Sequence, residues 1–190
     1  MARPRRFTDE EILATTQSCI LEHGPGVSTL MIAEQIGLSQ AALFKRFGTK
    51  EQLIIRSLQQ PMQPNPIAHL LQKGPTDAPI PDQLVEIGKT TMVILRRVIP
   101  CLTMLHAAGV NPNEETPLDD RPAIQARRLL TAWFAEALAH GRIQMANPHT
   151  LAVGFLGMLH ARPFREVIMG DTELNCTDTE YIQDLVDTMW

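Results

Sequence analysis

Aromatic side chains make up only 5% of this 190-residue chain, with one tyrosine and two tryptophans, and runs of β-branched residues are scarce. Strands are built mainly from those residue types, so a sheet protein is not expected. Cysteine is also sparse. Cys19, Cys101 and Cys176 are odd in number and far apart, with no CxxC or Cys/His ligand spacing, which excludes a disulfide framework and a zinc site and fits a reducing cytosol. No apolar stretch approaches the roughly 20 residues that cross a bilayer, and the N-terminal arginines are not followed by a signal-peptide core. The expectation is a cytoplasmic protein with no membrane partner. A formal net charge of -4 excludes a protein that coats nucleic acid indiscriminately. Enzyme signatures are missing too: there is no nucleophile elbow, no phosphate-binding glycine loop after a strand, no HExxH and no carboxylate cluster at ligand spacing. No catalytic residue, cofactor or metal site can be nominated, and an enzyme is not expected.

Leu, Ala, Gln, Met and Glu are plentiful, so propensity points to an all-α chain. The 44% hydrophobic content can bury a real core, divided between two unequal domains at 1–60 and 61–190. Charge is unevenly placed. Residues 1–58 hold seven Lys or Arg against six acidic residues, so the remaining chain carries -5. The basic residues cluster at Arg3, Arg5 and Arg6 and again at Lys45, Arg46 and Lys50, as a DNA-facing surface with an acidic opposite side requires.

The first sixty residues are dense in helix punctuation. Thr8 can cap a first helix from about Asp9 with Glu11 completing a capping box and Phe7 stapling onto Ile12, and Gly24-Pro25-Gly26 ends it near His23. Ser28 or Thr29 caps a short second helix with Ile32, Ala33 and Ile36 inward. Gly37 ends it, Leu38 plugs the turn, and Ser39 caps a third helix over 40–47 with Leu43 and Phe47 inward. Two short helices joined by a three-residue turn, with small Ala33 at the crossing, make a helix-turn-helix. The third helix exposes Gln40, Ala41, Ala42, Lys45 and Arg46: the alanines permit close approach to a groove floor, and the polar residues reach bases or phosphates. Thr49-Lys50-Glu51-Gln52 is a second capping box, starting a fourth helix whose positive end, with Lys50, suits a phosphate. Ahead of helix one, Ala2-Arg3-Pro4-Arg5-Arg6 reads either as a minor-groove arm or as a solvated terminus.

The run Ser28-Thr29-Leu30-Met31-Ile32-Ala33, continued through Gly37-Leu38-Ser39-Gln40-Ala41-Ala42-Leu43-Phe44-Lys45-Arg46-Phe47-Gly48-Thr49-Lys50-Glu51-Gln52-Leu53, resembles the DNA-binding signature of the TetR family of transcriptional regulators. The resemblance implies that Thr29 and Lys50 bind phosphates and that Gln40, Ala41 and Ala42 face bases. Phe44 and Arg46 stand where the family usually has Tyr and His. Phe44 therefore lacks a phosphate-donating hydroxyl, whereas Arg46 keeps a donor and adds a full charge, so affinity should lean on charge.

Beyond residue 60 the pattern is coarser. Six prolines between Gln59 and Pro81 predict a broken connector, followed by a long helix over about 82–108 with a kink at Pro100 and a polar loop over 109–120. Further helices are expected from Pro122 to about His140, from Asn147-Pro148 until Pro163 disturbs it, and over about 177–190. In the TetR family the last two long helices pair with those of a second subunit, which implies a homodimer joined through Leu151, Phe155, Leu159, Tyr181 and Leu185; plain core packing explains the same stripes. The resemblance also implies a small-molecule effector in the C-terminal domain that moves helix four. Met92, Cys101, Met104, His106, Trp133 and Phe134 are candidate lining residues, each also readable as ordinary core, and Cys101 as an oxidant sensor. The expectation is an all-α repressor with an N-terminal helix-turn-helix domain and a larger helical ligand-binding and dimerisation domain, released from a palindromic operator by an effector. The contrasting reading is a helical adaptor that kept the fold and lost specific DNA binding, for which Phe44 is the one sequence feature.

Overall fold

The computed structural model describes residues 7–60, 66–107, 109, 111, 113–114, 117–144, 147–171 and 175–190, and every regular element among them is helical. The first unit is α1 (Asp9–His23), a single 3-10 turn (Gly24–Gly26), α2 (Thr29–Ile36), α3 (Gln40–Phe47) and α4 (Lys50–Gln59). Local chemistry accounts for these boundaries. Thr8 and Glu11 form the expected capping box, Ser28 and Ser39 cap α2 and α3, and Thr49 with Gln52 boxes α4. Gly37 takes a left-handed conformation, φ 82°, which a side chain rarely adopts and which lets α2 turn sharply into α3. Ile12, Ile20, Ile32, Leu43, Leu53 and Ile54 are fully buried between these helices. Gln17 lies buried beneath them, its Nε2 donating to the carbonyls of Ser57 and Gln60, both at 3.0 Å, and so tying α1 to the end of α4. Cys101 and Leu105, from a helix far along the chain, complete this core.

The larger unit comprises α5 (Pro66–Gln72), α6 (Ile80–Ala107), a 3-10 turn (Leu118–Asp120), α7 (Pro122–Ala139), α8 (Pro148–Met169) and α9 (Asp178–Met189). Two differences from the sequence reading stand out, and α6 is the single long helix it expected. The proline-rich connector contains α5, because Pro66 falls in the first helical turn, where its missing N–H costs nothing. α6 runs through Pro100. α8 does not stop at Pro163 but continues six residues beyond it to Met169, with the Pro163 ring buried in the packing. The core of this unit joins Leu84, Met92, Leu130, Trp133, Phe134, Phe155, Leu159 and Ile182, with the Trp133 and Phe134 rings edge-to-face at 5.4 Å. At Gly88 of α6 a Cβ would stand 2.7 Å from Ile182 Cγ2, so glycine is what lets α9 close onto α6.

An ionic cluster fastens α6, α8 and α9. Arg96 of α6 donates from Nε to Asp178 at 2.9 Å and also pairs with Glu166, while the buried Arg162 of α8 donates from Nε to Glu166 at 3.1 Å and from Nη1 to the Thr177 carbonyl at 3.0 Å. The Arg96 guanidinium holds the Glu166 and Asp178 carboxyls below the usual carboxylate range. Carboxyls whose folded pKa is depressed stabilise the fold fully above their unfolded values and lose that contribution as pH falls through the folded ones. Arg96→Met is therefore expected to cost about 1–3 kcal/mol at pH 7, a deficit that shrinks as pH drops below about 4. Urea unfolding at pH 7 and pH 3 checks this, and an equal deficit at both would contradict it.

Candidate nucleic-acid interface

α3 is the exposed member of the helix pair. Leu43 and Phe47 anchor it inward, while Ala41, Phe44, Lys45 and Arg46 face outward and Gln40 and Ala42 are half-buried at its N-terminal end. Gln40 is held in place: its Nε2 donates to Thr29 Oγ1 at 2.8 Å, across from the start of α2. Thr29 itself is almost buried, and its hydroxyl accepts that bond. Arg46 faces outward as expected but is engaged, donating to the Phe7 carbonyl at 2.8 Å and pairing with Asp9 at the start of α1. No local sequence signal foretold that bond, since its partners lie some forty residues upstream. Lys50, half-buried, opens α4, whose positive N-terminal end also holds the Glu51 carboxyl below the usual range through the backbone N–H groups and Thr49. Phe44 exposes its ring without a polar atom, as the sequence implied. Arg3, Arg5 and Arg6 lie outside the described residues.

Residues 12–56 match the family model of bacterial regulatory proteins, tetR family. These residues form a TetR-family DNA-binding domain. No curated protein matches the sequence. Among solved structures the chain is similar to a transcriptional regulator from Cytophaga hutchinsonii (17% identity, TM-score 0.60, covering 94% of this chain and 92% of that one). It is also similar to a TetR transcriptional regulator from Streptomyces coelicolor (19% identity, TM-score 0.57, 95% and 97%) and to a fatty acid degradation regulator from Bacillus halodurans (15%, TM-score 0.57, 98% and 96%). At such identities the likeness is one of fold, and it extends over nearly the whole length. The chain shares the helical fold of these regulators and carries a TetR-family helix-turn-helix over residues 12–56.

Behind the TetR-type head lies a cavity of about 210 Å³ enclosed by five helices and the end of α4. Gln17 and Leu21 of α1 and Leu58 and Gln60 form its head-side wall; Ile67 of α5, residues of α6 between Thr91 and Leu102, residues of α7 between Pro122 and Leu129, and Leu156 and His160 of α8 form the rest. An open cleft of about 740 Å³ runs on its far side between α6 and α8, sharing Ile99, Leu102 and His160 with it. Of the six lining residues suggested by sequence, only His106 touches either space, at the cleft. Met92, Trp133 and Phe134 are wholly committed to the core, and Met104 is on the surface. Cys101 is enclosed in the head's core, where burial pushes its thiol up to about 11. A thiol so placed is a poor sensor of oxidants.

The residues that the sequence offered for dimer contact sit mostly against the subunit's own core. Phe155, Leu159 and Leu185 are buried within the subunit's own core, and the Tyr181 hydroxyl donates inward to the Met158 carbonyl at 2.7 Å. Leu151 packs partly against the same core. The outward face of α8 carries a different stripe: Val153, Gly157, Ala161, Phe164 and Ile168, at helical spacing and exposed.

Proposed function

We propose that the protein is a repressor that binds a two-fold symmetric operator as a homodimer and is released when a small molecule enters the five-helix cavity. The observation that carries the reading is the shared wall: the same cavity contacts α1 and the end of α4 in the DNA-binding head and α6, α7 and α8 behind it. A ligand there displaces the tether that Gln17 makes to Ser57 and Gln60, and with it α4 and the spacing of paired heads. The division of labour is a DNA-binding head over about 1–60 and an effector-binding and dimerising body over 61–190. Pairing uses the α8 stripe. A Cβ at Gly157 would meet nothing within 4 Å, so the subunit's own packing does not require glycine there, while a second helix crossing closely does.

At the operator, Ser39 and Thr29 orient Gln40, and Gln40, Ala41 and Ala42 face bases. Lys45 and Lys50 neutralise phosphates, Phe44 adds apolar contact, and the arm at Arg3, Arg5 and Arg6 enters the minor groove. Arg46 reaches a phosphate only by giving up Asp9. The test is selection of preferred duplexes from a random pool at near-physiological salt. An inverted repeat with half-sites about one helical turn or slightly more apart is the expected product. On that operator Lys50→Ala should weaken binding to every sequence and lower the salt slope by about one, whereas Gln40→Ala should alter preference. A featureless pool retained only through salt-sensitive binding would replace this reading with the adaptor.

A further inference from the structure

We infer that the five-helix cavity selects a small, uncharged, largely apolar ligand that donates a hydrogen bond, such as an alkylphenol or a compact alcohol. This rests on the effector reading above and specifies its chemistry. None of the described residues lining the cavity is Asp, Glu, Lys or Arg, so a carboxylate or phosphate finds no counter-charge and an ammonium group no anion. Size is a second limit. A cavity of roughly 150 Å³ holds benzene, so about 210 Å³ holds one ring with a short substituent, or a branched chain of similar bulk.

The third argument is the direction of the wall's hydrogen bonds. Gln17 uses the two donors of its Nε2 on the Ser57 and Gln60 carbonyls, so its Oε1 is what it can turn to a ligand. Thr91 spends its hydroxyl proton on the Ile87 carbonyl at 2.7 Å, which leaves lone pairs. His160 Nδ1 lies 2.6 Å from the Leu156 carbonyl, which can only accept, so Nδ1 donates there, and a ring carrying that one proton offers a bare Nε2. Three polar groups on α1, α6 and α8 thus present acceptors to the same space, beside the Gln60 and Gln125 amides, which can take either role. A ligand hydroxyl or N–H satisfies them, and an ether or ester of the same shape leaves them unpaired.

The experiment is calorimetric titration of the full chain, without DNA, with three probes of matched shape: 4-ethylphenol, 4-ethylanisole and 4-ethylbenzoate. The phenol is expected to bind with a dissociation constant below about 1 mM, the ether roughly tenfold or more weakly, because it lacks only the donor, and the benzoate more weakly than the phenol. Thr91→Val, which removes an acceptor at nearly constant volume, should narrow the phenol-to-ether ratio, and Ala126→Phe, which fills the space, should abolish phenol binding. Equal binding of phenol and ether, preference for the benzoate, or no binding by any probe at millimolar concentration overturns the inference. The wild-type comparison decides alone should Ala126→Phe fail to fold. Phenol binding that leaves an operator complex intact would sink the release mechanism while the ligand class stands, so the two failures are separable.

Discussion

Ala161→Asp is expected to give a folded monomer whose operator affinity is lower by two orders of magnitude or more. Ala161 sits in the middle of the exposed α8 stripe, between Gly157 and Phe164, and contributes nothing to the subunit's own buried core. Across a two-fold axis the substitution acts twice, placing two carboxylates in one apolar contact, each without a partner there. The subunit itself should unfold at nearly unchanged urea concentration apart from the stability the dimer added. Loss of affinity follows from geometry: two linked heads bind an inverted repeat with an avidity of about 10²–10⁴ over one head, and a monomer forfeits that factor. Light scattering of the purified variant and gel shifts with the selected operator check both halves. A variant that remains dimeric would move the interface away from the outer face of α8.

Phe155→Ala, nearly two turns away on the inward side of the same helix, should do the reverse. Phe155 is fully buried, its ring edge 3.5 Å from where a Cβ of Gly88 would stand. Truncation removes the ring's burial and leaves a hole that α6 and α9 cannot close, a cost of about 3–5 kcal/mol against a total of roughly 5–15 kcal/mol. The cleanest measurement is made in the Ala161→Asp background, where unfolding does not depend on protein concentration. A large loss there assigns the ring to the monomer core. An unchanged monomer, with weakened association in the otherwise wild-type protein, would restore Phe155 to the subunit interface.

These two residues also mark where the sequence stopped being legible. Helix ends in the head were readable because their causes are local: Thr8 with Glu11, Ser39, Gly37 and Thr49 with Gln52 each act within four residues. The proposed α8 interface was not, because that helix is apolar on both sides, with Leu151, Phe155 and Leu159 on one and Val153, Phe164 and Ile168 on the other. Periodicity finds the stripes but does not say which one the chain keeps for itself. The cavity failed for a related reason. Met92, Trp133 and Phe134 attracted attention as large adaptable side chains, yet large side chains fill space. The void opens beside smaller neighbours, Thr91 next to Met92 and Ala126 a turn or two before Trp133. Arg46 illustrates a third limit, since its bond to Asp9 depends on how α1 crosses α3, which no spacing within either helix encodes.

The two cores share one shaft. α6 contributes Leu84, Met92 and Leu95 to the body and, two to three turns on, Cys101 and Leu105 to the head, in one helix without interruption. Opening either core uncovers part of α6, so head and body are coupled in unfolding and should lose their protection against hydrogen exchange together rather than in sequence. A fragment ending near residue 60 would leave bare the head surface that Cys101 and Leu105 now seal. The DNA-reading unit is thus a region of the molecule that borrows its last two core residues from the part it reports to.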